Sequence, residues 1–120
     1  MKFEQIKNLI DMVDDPVEKL EIVLDLGKNL PVPPADSECN EIVGCTSVVH
    51  ICRRGNEFYG TADSKLVAGI LTIILSMVDG HSIDEIRNMP IAQMFADLKI
   101  NIGASRLNGV NSMIRFLKNL

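Results

Sequence analysis

The sequence has no tryptophan, one tyrosine and only three cysteines, and it lacks any long apolar run. No stretch approaches the run of about 18 apolar residues that a membrane-spanning helix requires. Residues 1–5 begin a polar, amphipathic stretch that lacks the apolar centre of a secretory signal peptide. These absences predict a cytoplasmic protein that does not associate with a membrane.

A block of basic residues is also missing. The chain has 12 basic and 16 acidic side chains, a formal net charge of -4, and its longest basic run is the pair Arg53-Arg54. Nucleic acids and anionic membranes bind clustered positive charge. The charge pattern therefore predicts no nucleic-acid partner.

The cysteines are few and widely spaced. Cys39, Cys45 and Cys52 are separated by six and seven positions, unlike the closely spaced cysteine pairs of zinc sites. An odd number of cysteines in a reducing compartment predicts free thiols and no disulfide framework. No glycine-rich phosphate-binding loop is present either. We expect no resident metal and no cofactor.

The apolar pattern predicts helices at both ends of the chain. Residues 3–13 and 16–26 have helical spacing, and a proline-rich connector follows at 30–34. A long apolar helix is predicted from Leu66 to Val78, with Asp63 or Ser64 as its N-cap. Ser82 and Glu85 have the spacing of a capping box, and the last helix is predicted over residues 105–120.

Between these helices the pattern changes to that of a β-hairpin. Residues 48–51 are rich in β-branched side chains, residues 53–56 have the composition of a turn, and an apolar pair follows at 58–59. No repeat or interdomain linker interrupts the chain. The sequence predicts one α+β domain over residues 1–120, with a small antiparallel sheet and helices packed on it.

Cys45 is the strongest candidate for chemistry. It follows Gly44 and directly precedes the predicted strand, so it lies in a loop where the glycine leaves room beside the sulfur. A packed, unreactive cysteine is the alternative. Cys52 lies within an apolar strand and Cys39 within a polar stretch that we expect to be a solvated loop.

Four segments, in the same order, resemble the SufE family of sulfur-acceptor proteins. They are Leu24-Asp25-Leu26-Gly27-Lys28-Asn29-Leu30-Pro31, Val43-Gly44-Cys45-Thr46-Ser47-Val48-Val49, Gly60-Thr61-Ala62-Asp63 with Leu66-Val67-Ala68-Gly69-Ile70, and Ser105-Arg106-Leu107-Asn108-Gly109-Val110-Asn111-Ser112-Met113-Ile114. The resemblance covers most of the chain and implies a fold like that of SufE and of the U-type iron–sulfur scaffolds.

The resemblance also implies a function for Cys45. It implies a sulfurtransferase-like accessory protein in which Cys45 accepts persulfide sulfur from a pyridoxal-phosphate cysteine desulfurase and stimulates that enzyme, for iron–sulfur cluster assembly. A downstream iron–sulfur scaffold would be a further partner. Gly44, Asp63 and Arg106 are the implied supporting or partner-facing residues, and Arg106 is expected to fasten or polarise the cysteine loop.

Four positions depart from the family pattern: Thr46, His50, Thr61 and Asn101. They surround the implied acceptor or its docking face and leave the cysteine itself unchanged. Two alternatives remain open from the residues. One is a non-catalytic regulator of a desulfurase, and the other is a metal or iron–sulfur scaffold that uses all three cysteines.

Overall fold

The computed structural model describes residues 1–120 and contains six α-helices and three β-strands. The helices are α1 (Phe3–Asp11), α2 (Pro16–Leu26), α3 (Lys65–Val78), α4 (Ile83–Asn88), α5 (Ile91–Ala96) and α6 (Ala104–Lys118), with a short 3-10 turn at Gly27–Asn29. The strands are β1 (Glu38–Glu41), β2 (Val49–Arg54) and β3 (Glu57–Ala62), which form one antiparallel sheet in the order β1-β2-β3. The α+β prediction is confirmed.

The helix starts follow from local side-chain chemistry. Pro16 occupies the first turn of α2, and the Asp15 carboxylate accepts a hydrogen bond from the Val17 amide. Ser64, and not Asp63, caps α3 by accepting from the Val67 amide. Ser82 and Glu85 form the predicted capping box of α4.

The core is organised around α3, whose residues are buried over most of its length. One side of α3 packs on the sheet, where β2 and β3 contribute Val49, Ile51 and Phe58 to the core. The other side approaches α2 very closely at Gly69, where an added Cβ would lie 1.9 Å from the Val23 carbonyl oxygen. The apolar run that predicts a buried central helix is thereby explained.

One charged side chain is buried within this helical layer. Lys19 of α2 is 7% exposed, and its Nζ donates to the Leu98 carbonyl oxygen at 2.8 Å. Leu98 follows the end of α5, where the last carbonyl groups of the helix have no intrahelical donor. The ammonium group donates to a carbonyl just beyond this helix end, so the bond ties two distant parts of the chain together.

Strand β1 is the main difference from the sequence-based prediction. The polar stretch 36–40 around Cys39 predicts a solvated loop, yet residues 38–41 pair with β2 in the register Glu38↔Arg53 to Glu41↔His50. All four are exposed. The backbone groups on the open edge of β2 can pair with any extended segment, so this edge strand forms without apolar side chains of its own.

No helix has both the length and the apolar character needed to cross a membrane.

Candidate functional site

Cys45 lies in the loop that joins β1 to β2, residues 42–48, which we call the cysteine loop. At one end of this loop the Ile42 amide donates to the Val49 carbonyl oxygen at 2.9 Å. At the other end the Val48 amide donates to the Asp63 carboxylate at 3.1 Å, and the Asp63 amide donates back to the Val48 carbonyl oxygen at 3.2 Å. Asp63, a predicted supporting residue, therefore anchors the loop where β2 begins.

Gly44 gives the loop its shape. Its φ angle is +103°, in a region that residues with a side chain rarely adopt. A Cβ at this position would also lie 2.3 Å from the Ser112 Oγ of α6. The glycine before Cys45 is therefore required both by the backbone turn and by the close approach of the loop to α6.

The Cys45 side chain is partly buried against α6. Its Sγ lies 3.6 Å from the Gly109 carbonyl oxygen, to which the thiol donates a weak hydrogen bond. A Cβ on Gly109 would lie 3.4 Å from the same sulfur, which is ordinary van der Waals contact, so the thiol packs directly on the backbone of α6 at this position. Burial raises the pKa of the Cys45 thiol above its ordinary value, because the thiolate loses hydration.

A narrow crevice beside the Cys45 sulfur has a volume of about 10 Å³, room for roughly one water molecule. Arg106 and Gly109 both line this crevice. The Arg106 side chain is exposed, however, and forms no hydrogen bond with the cysteine loop. The structure thus brings Arg106 near Cys45 without the fastening contact that we expected, and burial is the sole source of the Cys45 pKa shift.

The departures from the family pattern occupy two kinds of position. His50 and Thr61 face each other across β2 and β3, with His50 Nδ1 3.3 Å from Thr61 Oγ1, so these two residues are partners. Thr46, next to Cys45, and Asn101, ahead of α6, are exposed. His50 and Thr61 lie on the sheet, and neither hydrogen-bonds to Cys45.

The expectation of three free thiols is wrong for two of the cysteines. Cys39 and Cys52 are directly opposite each other on β1 and β2, with Cα atoms 4.0 Å apart, and they form a disulfide. Cys45 is the free cysteine. The disulfide depends on the pairing of β1 with β2, and the polar residues of β1 give no strand signal in the sequence. The signal in the sequence was the near-equal spacing of Cys39 and Cys52 on either side of Cys45, which a hairpin converts into a cross-strand pair.

No group of three or more histidine, cysteine, aspartate or glutamate side chains lies close enough to hold a metal ion. The scaffold alternative needs Cys39, Cys45 and Cys52 as thiolates together. Two of these sulfurs are bonded to each other, and their disulfide cannot supply thiolate ligands.

Apolar side chains are exposed on both sides of Cys45. Val43 is 88% exposed and Val48 50% exposed in the cysteine loop, and Leu107 is 47% exposed on the first turns of α6. An open groove of about 750 Å³ lies on the other side of Gly44, between the loop and residues such as Asn108 and Ser112 of α6. Gly109 and Ser112 lie in the fourth segment that resembles the family, but the sequence assigns them no role at the site, because their contacts depend on the approach of α6 to the loop.

Comparison with known proteins places the sequence among SufE-like proteins. The family model described as SufE, Fe-S metabolism associated domain, matches residues 4–120. An uncharacterized SufE-like protein of Rhizobium meliloti (strain 1021) is 28% identical, with 96% of this chain and 91% of the relative covered. The sulfur acceptor protein CsdE of Escherichia coli (strain K12) is 26% identical, with 92% of this chain and 81% of CsdE covered.

The fold also has a counterpart among solved structures. The solution structure of a hypothetical protein from Thermus thermophilus superimposes with a TM-score of 0.68 at 15% identity, covering 98% of this chain and 90% of the other. At that identity the likeness concerns the fold alone. The family match spans nearly the whole chain and includes the glycine-cysteine loop and α6. The chain therefore belongs to the SufE family of Fe-S metabolism proteins.

Proposed function

We propose that this protein accepts sulfur on Cys45 from the persulfide of a pyridoxal-phosphate cysteine desulfurase, stimulates that enzyme, and delivers the sulfur to iron–sulfur cluster assembly in the cytoplasm. The observation that carries the proposal is the placement of the free cysteine. Cys45 lies in the loop that joins β1 to β2, and α6 shelters the thiol on one side. Membership of the SufE family and the relative named sulfur acceptor protein support the same function.

The transfer is a thiol–persulfide exchange. The Cys45 thiolate attacks the outer sulfur of the partner's persulfide, a new S–S bond forms on Cys45, and the bond to the partner's cysteine breaks. The partner's cysteine leaves as a thiolate and takes up a proton. The transfer is redox-neutral overall, because one persulfide and one thiolate become another persulfide and another thiolate. The step therefore requires no oxidant and no cofactor on this chain.

The resting position of Cys45 suits storage better than attack. Its pKa is raised by burial, and the crevice beside it has room for only about one water molecule. Shelter of this kind slows oxidation of the thiol between transfers. For transfer, the cysteine loop must turn Cys45 outward, where the thiol regains hydration and its pKa falls.

The docking face proposed for the desulfurase is the surface around the cysteine loop. The exposed side chains of Val43, Val48 and Leu107 supply apolar contact area there. Arg106 is exposed and unpaired beside the crevice, so it is free to contact an acidic or hydrogen-bonding group of the partner. We assign Arg106 to this face, and we assign Asp63 and Gly44 to positioning the loop.

The decisive experiment is intact-mass spectrometry of the oxidised protein after incubation with an active cysteine desulfurase and free cysteine. With Cys39 and Cys52 in their disulfide, Cys45 is the one available thiol. We expect one added sulfur atom on the wild type and none on Cys45→Ser. The Cys39→Ser/Cys52→Ser double variant is the matched control, and it should still accept one sulfur.

Desulfurase turnover measured in parallel separates acceptance from regulation. We expect wild-type protein, and not Cys45→Ser, to increase the release of alanine. If Cys45→Ser stimulates as well as the wild type and neither gains sulfur, the protein is a regulator that carries no sulfur. Sulfur on Cys45→Ser would show that another cysteine is the acceptor.

A further inference from the structure

Sulfur transfer through Cys45 has no role for the other two cysteines, yet their disulfide lies across the hairpin that carries Cys45. Cys39 and Cys52 are 13 positions apart in sequence and form a cross-strand pair two residues beyond the last β1–β2 pair before the loop, Glu41↔His50. The closed ring therefore contains the whole cysteine loop. Any change in this bond acts on the strands that hold the loop.

The two strands that flank the loop differ in how firmly they are held. β2 lies in the middle of the sheet, and Val49 and Ile51 are buried in the core. β1 is the edge strand, pairs with β2 alone, and has all its residues exposed. Beyond its four-residue ladder, β1 is held by the disulfide, by a long contact of 3.9 Å between Glu41 Oε1 and His50 Nε2, and by the buried side chain of Ile42 that follows it. It is therefore the flank of the loop that can yield.

We propose that Cys39 and Cys52 form a dithiol–disulfide switch that a dithiol reductant of the cell acts on, and that sets the mobility of the cysteine loop. With the disulfide formed, β1 is held more firmly and Cys45 leaves its position against Gly109 less often. With the disulfide reduced, β1 separates more readily from β2 and the loop gains freedom on its Ile42 side. The Val48 side keeps its anchor on Asp63 in both states.

The accessible sulfur determines the order of bond changes. Cys39 is exposed, whereas Cys52 is 1% exposed. A thiolate of the reductant attacks the Cys39 sulfur, the Cys39–Cys52 bond breaks, and the Cys52 sulfur leaves as a thiolate that is then protonated. The second thiolate of the reductant then attacks the reductant sulfur that is bonded to Cys39, and Cys39 is released as a thiolate that is protonated. Two electrons and two protons pass to the pair, and the reductant becomes a disulfide.

The reverse step, formation of the Cys39–Cys52 disulfide, needs a disulfide as the oxidant. The Cys39 thiolate attacks a low-molecular-weight disulfide, forms a mixed disulfide and releases one small thiolate. The Cys52 thiolate then attacks the Cys39 sulfur of the mixed disulfide, which restores the cross-link and releases the second small thiolate, so that two electrons pass to the small disulfide. Cysteines with Cα atoms 4.0 Å apart on paired strands are held ready for this closure. The pair can therefore follow the balance of thiols and disulfides around it.

The consequence for Cys45 rests on the proposed function. If Cys45 must turn outward to receive sulfur, the reduced protein accepts sulfur faster than the oxidised protein. The oxidised protein retains a sheltered thiol. Oxidising conditions would then slow sulfur delivery at the loop without altering Cys45 itself.

The structural part of the switch is tested in the Cys45→Ser background, where Cys39 and Cys52 are the remaining thiols. Hydrogen exchange of single amides is followed by NMR after equilibration with oxidised glutathione or with dithiothreitol. We expect the Ile42 amide, which bonds to Val49, to exchange roughly tenfold faster in the reduced protein. The amides of α3 should not change.

The matched control is the Cys39→Ser/Cys52→Ser variant in the same background, which should exchange like the reduced protein in both buffers. Equal Ile42 exchange in the oxidised and reduced proteins, or two free thiols after treatment with oxidised glutathione, would overturn the switch. The second readout uses Cys45: its alkylation by N-ethylmaleimide should be several-fold faster in Cys39→Ser/Cys52→Ser than in the oxidised wild type.

The sulfur-transfer assay keeps the two proposals apart. If loop exchange responds to reduction but Cys45 gains no sulfur in either state, the proposed function fails and the switch stands. If Cys45 accepts sulfur at one rate whatever the state of Cys39 and Cys52, the function stands and the switch does not govern it.

Discussion

At the scale of single residues, the chemistry of Cys45 depends on what is next to it and on what is missing there. Gly44 has no side chain where a Cβ would collide with Ser112, so the cysteine loop can approach α6 and the thiol can lie against Gly109. No cation contacts the sulfur, and burial alone sets the direction of the pKa shift. The resting thiol is therefore protonated and protected.

The raised pKa predicts the pH dependence of Cys45 reactivity. Because the thiolate reacts and burial disfavours it, alkylation of the folded, oxidised protein by iodoacetamide should accelerate with pH to a midpoint above that of the unfolded chain. Rates measured over about pH 6 to 10, with and without denaturant, test this. Cys45→Ser is the blank.

The same shift has a consequence for stability. The folded state binds the Cys45 proton more tightly than the unfolded state, so this contribution is present below the unfolded pKa and is lost as pH rises through the folded pKa. If the pH midpoint of Cys45 alkylation were lower in the folded protein than in the unfolded chain, the argument that burial raises the pKa would be contradicted. Such a midpoint would point instead to a cation that approaches the thiol in solution.

At the scale of elements, the site is a hairpin with unequal supports. β2 is central in the sheet, β1 is an exposed edge, and the cysteine loop joins them. Asp63, which follows β3, bonds both backbone groups of Val48 and so fixes the β2 end of the loop. The cysteine loop is thus held at its β1 end by the Ile42–Val49 backbone bond and at its β2 end by Asp63.

Replacing Asp63 with alanine should loosen this support. The Val48 amide would lose its acceptor, a change of about 1 kcal/mol in the local stability of the loop, and Cys45 should be alkylated roughly fivefold faster. Asp63→Asn keeps an oxygen acceptor and should restore a rate near that of the wild type. The measurement is the rate of thiol labelling in the oxidised protein.

Overall folding should be nearly unchanged in both Asp63 variants, as checked by thermal unfolding. If Asp63→Ala and Asp63→Asn label equally fast, the charge of Asp63 and not its hydrogen bond controls the loop. If neither variant differs from the wild type, the anchor on Val48 has no influence on Cys45.

At the scale of the whole molecule, α3 connects the sheet to the helical layer. Its buried side chains contact β3 on one side and α2 on the other. Lys19 adds a buried link from α2 to the end of α5. The contact of α2 with α3 depends on Gly69, because the two backbones approach there more closely than any side chain would allow.

Gly69→Ala should therefore destabilise the whole fold. An added Cβ would lie 1.9 Å from the Val23 carbonyl oxygen, so α2 and α3 must separate, at a cost of about 3 kcal/mol or more in the free energy of unfolding. Urea unfolding followed by circular dichroism measures this loss. Lys65→Ala, an exposed change in the first turn of the same helix, should stay within about 0.5 kcal/mol of the wild type.

Alanine has a higher helix propensity than glycine. An unchanged or higher stability of Gly69→Ala would therefore mean that α2 and α3 are less tightly packed than the structure has them.

Much of the architecture could be predicted because its signals are local. The apolar run of α3, the Ser82–Glu85 capping box and the hairpin turn depend on residues close together in sequence. The turn occupies only Gly55 and Asn56, however, and not residues 53–56 as predicted, because Arg53 and Arg54 pair with β3. β1 could not be predicted, because residues 38–41 have no apolar alternation and form a strand through the open edge of β2. The disulfide was missed for the same reason, since it depends on that pairing.

Short segments of the sequence were enough to predict the long helices, the hairpin of β2 and β3, and Cys45 as the candidate site, because helix periodicity, turn composition and a glycine-cysteine pair are local features. Tertiary structure decided the rest. It placed α6 against Cys45, bonded Asp63 to Val48, left Arg106 without a bond to the loop, and joined Cys39 to Cys52. These contacts link residues that are far apart in the chain, so only the packed fold specifies them.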